Sequence, residues 1–577
     1  MDITKLEQKS NELKQFMAKY NTQNMLGHLS FLMTCISNGM ASQELSELTS
    51  PMRQLYYLAG LMLSVEPNGD SEINYTNEDW NHIVKLLKDI DLEHVKLFYP
   101  KDESEVNEEW KEKVNIAMPT FLSYFNLGPL NYEEQVIEEI ENVYTPMDDV
   151  LTEKYDLCTA DLLLFYENLD SWCTYNFASL SNPQLTPLRA NWRDYTDLYV
   201  GTDFPSMTHD TLENRQTSFT FVLDPGIKNR FKPTDLAVDG LPLQKVNTIL
   251  SLLSTERTNS DFLYYTGCNP IVDKPIVKLG NGLYQVFEEK RVLHAIQSLL
   301  DEICKHSSKV NSRLSHHKGA YLEKKIVELF RKFFGKEAEV FKGYYVDGCE
   351  QDIIVLYKDK MLVIEAKAYT NKEPFRDAER AFIRIKQDFD RSIGYAYTQC
   401  KRVEDKMKKG EKFNLYDKTG KVIKTIDPND YDGNDFYMIV NQEAFGQIQI
   451  DLSSFLTIAD GYNYPWAVRF YDLEIFILTL IARKKKPSYF FDFLIMREYL
   501  HGHVVCSDEG EICGAYITGQ LTEKHAESDK VITFTPSTAA VFDDQYRKGM
   551  GFKNEKHWKQ KHDASTIFWN DFIQSFT

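Results

Sequence analysis

GCEQDIIVLYKDKMLVIEAKAYT, residues 348–370, constrains this 577-residue chain more than any other stretch. Two apolar runs flank a polar tip, which is the pattern of a β-hairpin buried on both faces. Charged groups nonetheless sit inside the greasy parts: Asp352 in the first run, and Glu365 and Lys367 in the second. Strand side chains alternate, so Val363, Glu365 and Lys367 share one face, and Asp352, Ile354 and Leu356 share another. If the turn centres on Lys358-Asp359, residue 357 opposes 360 and Asp352 falls opposite Glu365, with Cβ atoms ~5 Å apart. Lys-Asp is not a favoured hairpin turn, so this register is itself an expectation. Two carboxylates that close repel unless a positive group lies between them. A divalent cation with hard oxygen ligands, Mg²⁺ or Mn²⁺, answers that need. Lys367, two residues past Glu365 on the same face, is placed to polarise a water aimed at a phosphorus atom.

The upstream segment GAYLEKKIVELFRKFFG has helical spacing, with Leu322, Ile326, Leu329, Phe330 and Phe333 on one arc. Glu323 falls on the shoulder of that arc and Glu328 points to solvent, so Glu323 is the expected buried acid. A strand, EVFKGYYV, follows the helix. After the hairpin come a long helix, DAERAFIRIKQDFDRSIGYAYTQCKRV, a second hairpin, KFNLYDKTGKVIKTID, and a buried strand, FYMIVN.

Asp352, twelve intervening residues and then Glu365-Ala366-Lys367, behind a helix bearing Glu323, resembles the PD-(D/E)xK nuclease superfamily, which includes the Mrr and archaeal Holliday-junction resolvase branches. The resemblance covers about 120 residues, and Gln351 stands where the motif has its nominal proline. It implies a restriction-endonuclease-like core in which Asp352 and Glu365 bind Mg²⁺ (or Mn²⁺), with the Ala366 carbonyl completing the coordination. Lys367 would assist the attacking water and Glu323 would orient the metal shell. Gln387, on the following helix, stands where related nucleases have a polar residue near the site. Two other readings of the same residues are an internal Glu365–Lys367 ion pair at a sheet edge, and a nuclease fold that binds without cutting.

The expected fold class is multidomain α+β. Residues 1–180 form a helical domain, 181–300 a mixed accessory region, 301–445 the nuclease domain with a mixed sheet, and 446–577 a mixed C-terminal lobe. Helical spacing runs through LGHLSFLMTCI, MRQLYYLAGLML and NEDWNHIVKLLKDI, the last behind a Thr-Asn start signal. Pro, Asn and Thr become frequent from 181 to 235, and short strands (SFTFVLD, LYQVFEE) precede a helix, RVLHAIQSLLDEICKHSS.

Net charge is −20, which by itself disfavours a nucleic-acid partner, but it is unevenly placed. Residues 303–425 hold 28 Lys and Arg against 18 Asp and Glu, while the remainder holds 38 against 68. A basic island in an acidic chain suits local phosphate binding. The expected partner is therefore nucleic acid, DNA rather than RNA, with the acidic helical region available for a homo-oligomer or a partner protein. Large accessory regions around such a core resemble bacterial proteins of anti-phage defence.

Nine cysteines without a CxxC pair are ordinary for a reduced compartment. The charged N-terminus lacks a signal-peptide core and IFILTLIA is too short to span a bilayer, so a cytoplasmic protein without membrane contact is expected. HGHVVCSDEGEIC (His501, His503, Cys506, Cys513) holds zinc-binding residue types at a spacing that matches no common site, and reads as core. His316-His317 reads as a polar approach to a helix start. Arg380, Arg384 and Arg391 near one helix face, with Arg376 before them, and RKKK at 483–486, are candidate backbone-phosphate contacts or plain solvated surface. P-loop and GxSxG motifs are absent.

Overall fold

A computed structural model describes residues 3–37, 42–68, 75–97, 102, 106–108, 110–111, 114, 131–181, 224–368, 378–526 and 530–553. The strand read at SFTFVLD, apart from Asp224, lies outside the described residues, as do Arg376 and residues 554–577. The chain divides into two compact units: 1–99 with 132–311 and 554–577, and 100–131 with 312–553.

The first unit is mainly helical. Its helices include Thr4–Met17, Thr22–Ser37, Pro51–Leu63, Asn77–Lys96, Glu133–Tyr144, Thr159–Ser181, Leu243–Leu253 and Glu289–Lys305. The start signal at Thr76 forms a capping box: Asp79 N–H donates to the Thr76 hydroxyl (3.2 Å), and Asp79 accepts from the Thr76 amide (3.1 Å). Four short strands, β1 (Arg230–Phe231), β2 (Ser254–Thr255), β3 (Ile276–Lys278) and β4 (Tyr284–Val286), make a small sheet in the order β1-β4-β3-β2.

The second unit is built on a seven-stranded mixed sheet. Its strands are β5 (Ala338–Val346), β6 (Cys349–Tyr357), β7 (Lys360–Lys367), β8 (Phe413–Tyr416), β9 (Val422–Ile426), β10 (Asp435–Asn441) and β11 (Trp466–Arg469), in the order β11-β10-β7-β6-β5-β8-β9. β7, β10 and β11 run parallel, and the other pairings are antiparallel. This is the α+β architecture with a central nuclease-like core that the sequence pattern indicates. The sheet extends beyond residue 445, because its edge strand β11 comes from the segment read as a separate lobe.

Both faces of the central strands are covered, which explains why β6 and β7 read as nearly continuous apolar runs. One face carries Ile354, Val363, Ile439 and Ala467 against Phe389, Ile393, Cys400 and Val403. The helix segment supplying the latter side chains is continuous in sequence but holds a π-turn: Ala378–Phe389, then Asp390–Gly394, then Tyr395–Lys409. The other face meets aromatic rings, with Phe334 on Tyr357 (5.1 Å between centroids) and Phe491 on Phe436 (5.0 Å). Phe334 ends the helix Ser308–Phe334, which starts well before the sequence pattern suggested. His316 and His317 therefore lie inside that helix rather than before its first turn.

Gly343 takes a φ of 62° in the middle of β5. Phe341 and Tyr344, three residues apart, pack against the same core cluster. Strict alternation would separate them, so the left-handed glycine resets the faces of the strand.

At the far end of the unit, Arg497 and Glu509 form a fully buried bidentate pair (Nε–Oε1 2.7 Å, Nη2–Oε2 3.0 Å). Glu509 also accepts from the Trp466 indole (2.7 Å), and Arg497 donates to the Ile450 carbonyl (2.6 Å). These bonds tie β11 to the helices Pro487–Glu498 and Glu509–Thr518. His501 accepts the Leu452 amide on Nδ1, and Cys506 and Cys513 are buried. Among the described residues no group of three His, Cys, Asp or Glu side chains is placed to hold a metal. Removing one partner of the buried ion pair leaves the other charge uncompensated. Glu509→Gln should therefore cost on the order of 3–5 kcal/mol in denaturant unfolding; a change within about 0.5 kcal/mol, the range of neutral surface substitutions, would show that the pair is not structural.

Candidate active site at the open end of the hairpin

The hairpin has the register that the turn placement demands. Tyr357 pairs with Lys360, and the ladder continues through Ile353↔Ile364. Lys358 accommodates the two-residue turn with a φ of 55°. Past Ile353↔Ile364 the backbone ladder gives way to side chains. The Ala366 amide donates to Asp352 Oδ2 (2.8 Å), and the Asp352 amide donates to Glu365 Oε1 (3.3 Å). Strand geometry sends the Ala366 carbonyl to the same edge as its amide.

Lys367 closes the group. Its ammonium lies 3.2 Å from Asp352 Oδ2 and 3.1 Å from Glu365 Oε2. The three side chains differ in exposure: Glu365 is 0% accessible, Lys367 15% and Asp352 18%. The cluster therefore forms a socket with a buried floor at Glu365 and partly exposed sides at Lys367 and Asp352. The Tyr395 ring stands 5.8 Å from the ammonium and is largely exposed.

Burial is the main cause that pushes the Glu365 carboxyl up to about 8, and the charge of Asp352 adds to it. For Lys367 burial acts downward, but attraction from Glu365 and Asp352 prevails and holds the ammonium above its ordinary range. An acid desolvated beside a second acid and answered by one cation is the arrangement expected where a stronger counter-charge is to be received.

The residues present fit a hard divalent ion. Asp352 Oδ2 and Glu365 Oε2 converge on the Lys367 ammonium, and strand geometry turns the Ala366 carbonyl to the same strand edge. Two carboxylates and one backbone oxygen leave the remaining positions to water and substrate, which is how Mg²⁺ is ordinarily held.

Not every residue singled out in the sequence joins the cluster. Glu323 is half-buried and pairs with Lys342 at 3.2 Å. Lys342 is registered against Ile353, on the sheet face opposite Asp352. The helical arc put Glu323 at its shoulder as the buried acid; in the structure the side chain is half-buried and engaged with a strand lysine. Gln387 is exposed on the helix Ala378–Phe389. Residues that sequence reasoning did not single out lie closer. Asn441 is the register partner of Lys367 in β10, and Ser392, in the π-turn, donates to Asn441 Oδ1 (3.2 Å).

Residues 318–423 match the family described as nuclease-related domain (NERD), a PD-(D/E)xK-like nuclease domain. No curated protein and no solved structure matches the chain.

Because Glu365 is protonated more readily in the folded chain than in the unfolded one, its contribution favours folding below its ordinary range and is lost as pH rises through about 8. With divalent ions chelated, Glu365→Gln should lack that loss. Its stability relative to the parent chain should grow from pH 5.5 to 8.5 by about 1 kcal/mol or more. Parallel stability–pH curves for the two proteins in denaturant titrations would contradict the assignment.

Proposed function

We propose that this domain is a Mg²⁺- or Mn²⁺-dependent endonuclease that hydrolyses phosphodiester bonds, with DNA as its substrate. The observation that supports the reading most is the convergence of Asp352, Glu365 and Lys367 where the β6–β7 ladder opens. That convergence lies inside a nuclease-related domain and inside the basic island of an acidic chain.

In this reading Asp352 Oδ2, Glu365 Oε2 and the Ala366 carbonyl hold the ion. Bound there, the ion supplies a Lewis acid that polarises the scissile phosphate and acidifies water. Glu365 would hold the ion in its deprotonated form, since a metal competes with protons for the same oxygens. Lys367 then exchanges its two carboxylate contacts for the attacking water and a non-bridging phosphate oxygen, where its charge offsets the negative charge that builds up. The buried floor of the socket strengthens each of these interactions by excluding bulk water.

One observation favours a second reading. Lys367 already contacts both acids, so a domain that keeps this internal ion pair would bind nucleic acid without cutting it. Incubation of the full chain with plasmid, single-stranded DNA and RNA in Mg²⁺ or Mn²⁺ separates the two. Cleavage of DNA is expected, reduced at least about a hundredfold by Asp352→Ala or Lys367→Ala. Cleavage that survives both substitutions would remove the site; tight binding with no cleavage by the parent chain would favour the scaffold; preferential cutting of RNA would change the substrate.

A further inference from the structure

The sheet carries the active-site face beyond Lys367. β7, β10 and β11 are parallel and in register, with Lys367 beside Asn441 and Asn441 beside Arg469. Register partners share a face, and the residues two positions back, Ile439 and Ala467, pack in the same core cluster as Val363. All three polar residues therefore end their strands on the face of the Asp352 cluster. Ligands of such sheets gather outside the carboxyl ends of parallel strands.

Two of the three have hydrogen-bonding capacity left over. Asn441 is 1% exposed; its Oδ1 accepts from Ser392, which turns Nδ2 the other way, and Nδ2 is buried without a hydrogen bond. Arg469 donates through Nε to the Gln442 carbonyl (3.3 Å), and its guanidinium stacks on Tyr471 at 4.5 Å. Its Nη1 is buried without a hydrogen bond. A buried donor left unpaired costs about 1–3 kcal/mol. Two of them on neighbouring strand ends, in register with Lys367, describe a site that lacks an acceptor.

The charges around Arg469 bear on what that acceptor is. Asp472 and Asp508 both act on the guanidinium. Asp472 is fully buried, and desolvation followed by the charge of Asp508 drives its carboxyl well above the usual range. Burial likewise raises Asp508, so both carboxyls that face the guanidinium are held above their usual range. Two donor-bearing side chains next to the Lys367 ammonium, spaced by strand separations of ~4.8 Å, suit the non-bridging oxygens of a phosphate.

We infer that Asn441 and Arg469 form a phosphate subsite that continues the active site along the sheet rim and grips the nucleic-acid backbone next to the bond presented to Lys367. The inference rests on the nuclease reading for its ligand, but its test reads binding and not cutting. Affinity of the full chain for a short DNA duplex is measured by fluorescence anisotropy in chelator across a salt series. Removing one phosphate contact lowers the slope of log affinity against log salt by about 0.9. Arg469→Gln should weaken binding and show that lower slope, and Arg469→Lys, which keeps the charge, should restore it. Asn441→Ala should weaken binding about threefold to tenfold, one hydrogen bond's worth, with the slope unchanged because the amide is neutral.

An unaltered slope in folded Arg469→Gln overturns the subsite. Should that variant fail to fold, parent affinity in Asn441→Ala overturns it instead, and so does absence of duplex binding by the parent chain. Cleavage by the parent with no effect of these substitutions on binding would sink the subsite and leave the nuclease standing. The reverse pattern, altered salt dependence without any cleavage, would sink the nuclease and leave the subsite.

Discussion

The second unit is organised around a conflict placed in the middle of a sheet. β7 is covered on both sides, so its side chains lose water whatever they are, and Glu365 loses all of it. A carboxylate with no solvent is unfavourable by several kcal/mol unless it is protonated or paired. The chain answers in two ways at once. The hairpin ladder stops at Ile353↔Ile364, which frees the Asp352 and Ala366 amides to donate to carboxylates, and Lys367 folds back over both acids. Each answer is partial: the carboxyl still sits near 8, and the lysine is raised against its own desolvation. A group held in that state is less completely neutralised than one in a fully satisfied salt bridge.

How far this could be read from sequence depends on the distance over which each contact is specified. The Asp352–Glu365 apposition was legible because a two-residue turn, Lys358-Asp359, fixes the register of everything behind it, and only a few residues separate turn from site. Glu323 was half legible. Helical periodicity gives the direction in which a side chain leaves its own helix, but not which strand lysine waits there, and Lys342 took it. Gln387 was assigned by resemblance alone, with no local pattern to support it. The π-turn at Asp390–Gly394 lies only three residues further on; it inserts a residue into the helical repeat, so a 3.6-residue count carried through the segment loses phase there.

The Asn441 and Arg469 positions were beyond sequence reasoning for a different reason. Parallel pairing joins strands that are far apart in the chain, and β10 meets β7 only after two helices and a hairpin have intervened. No turn sets that register. It is set by apolar side chains finding their places on two covered faces, and the polar residue at the end of each strand is carried to the rim as a consequence. FYMIVN announced a buried strand, but not which neighbour would stand beside its final asparagine.

The same mechanics explain why the segment after residue 445 is inseparable from the site. Among the described residues β11 pairs only with β10, and a four-residue edge strand has little ladder energy of its own. What fixes it is the Trp466–Glu509–Arg497 chain of buried bonds, running from the strand into two helices. Arg469 lies three residues beyond Trp466 on this strand, so its position at the rim depends on an ion pair at the strand's other end. Since the helices bearing that pair come from 487–518, the second unit cut at 445 would keep its acids while losing the strand that carries Arg469.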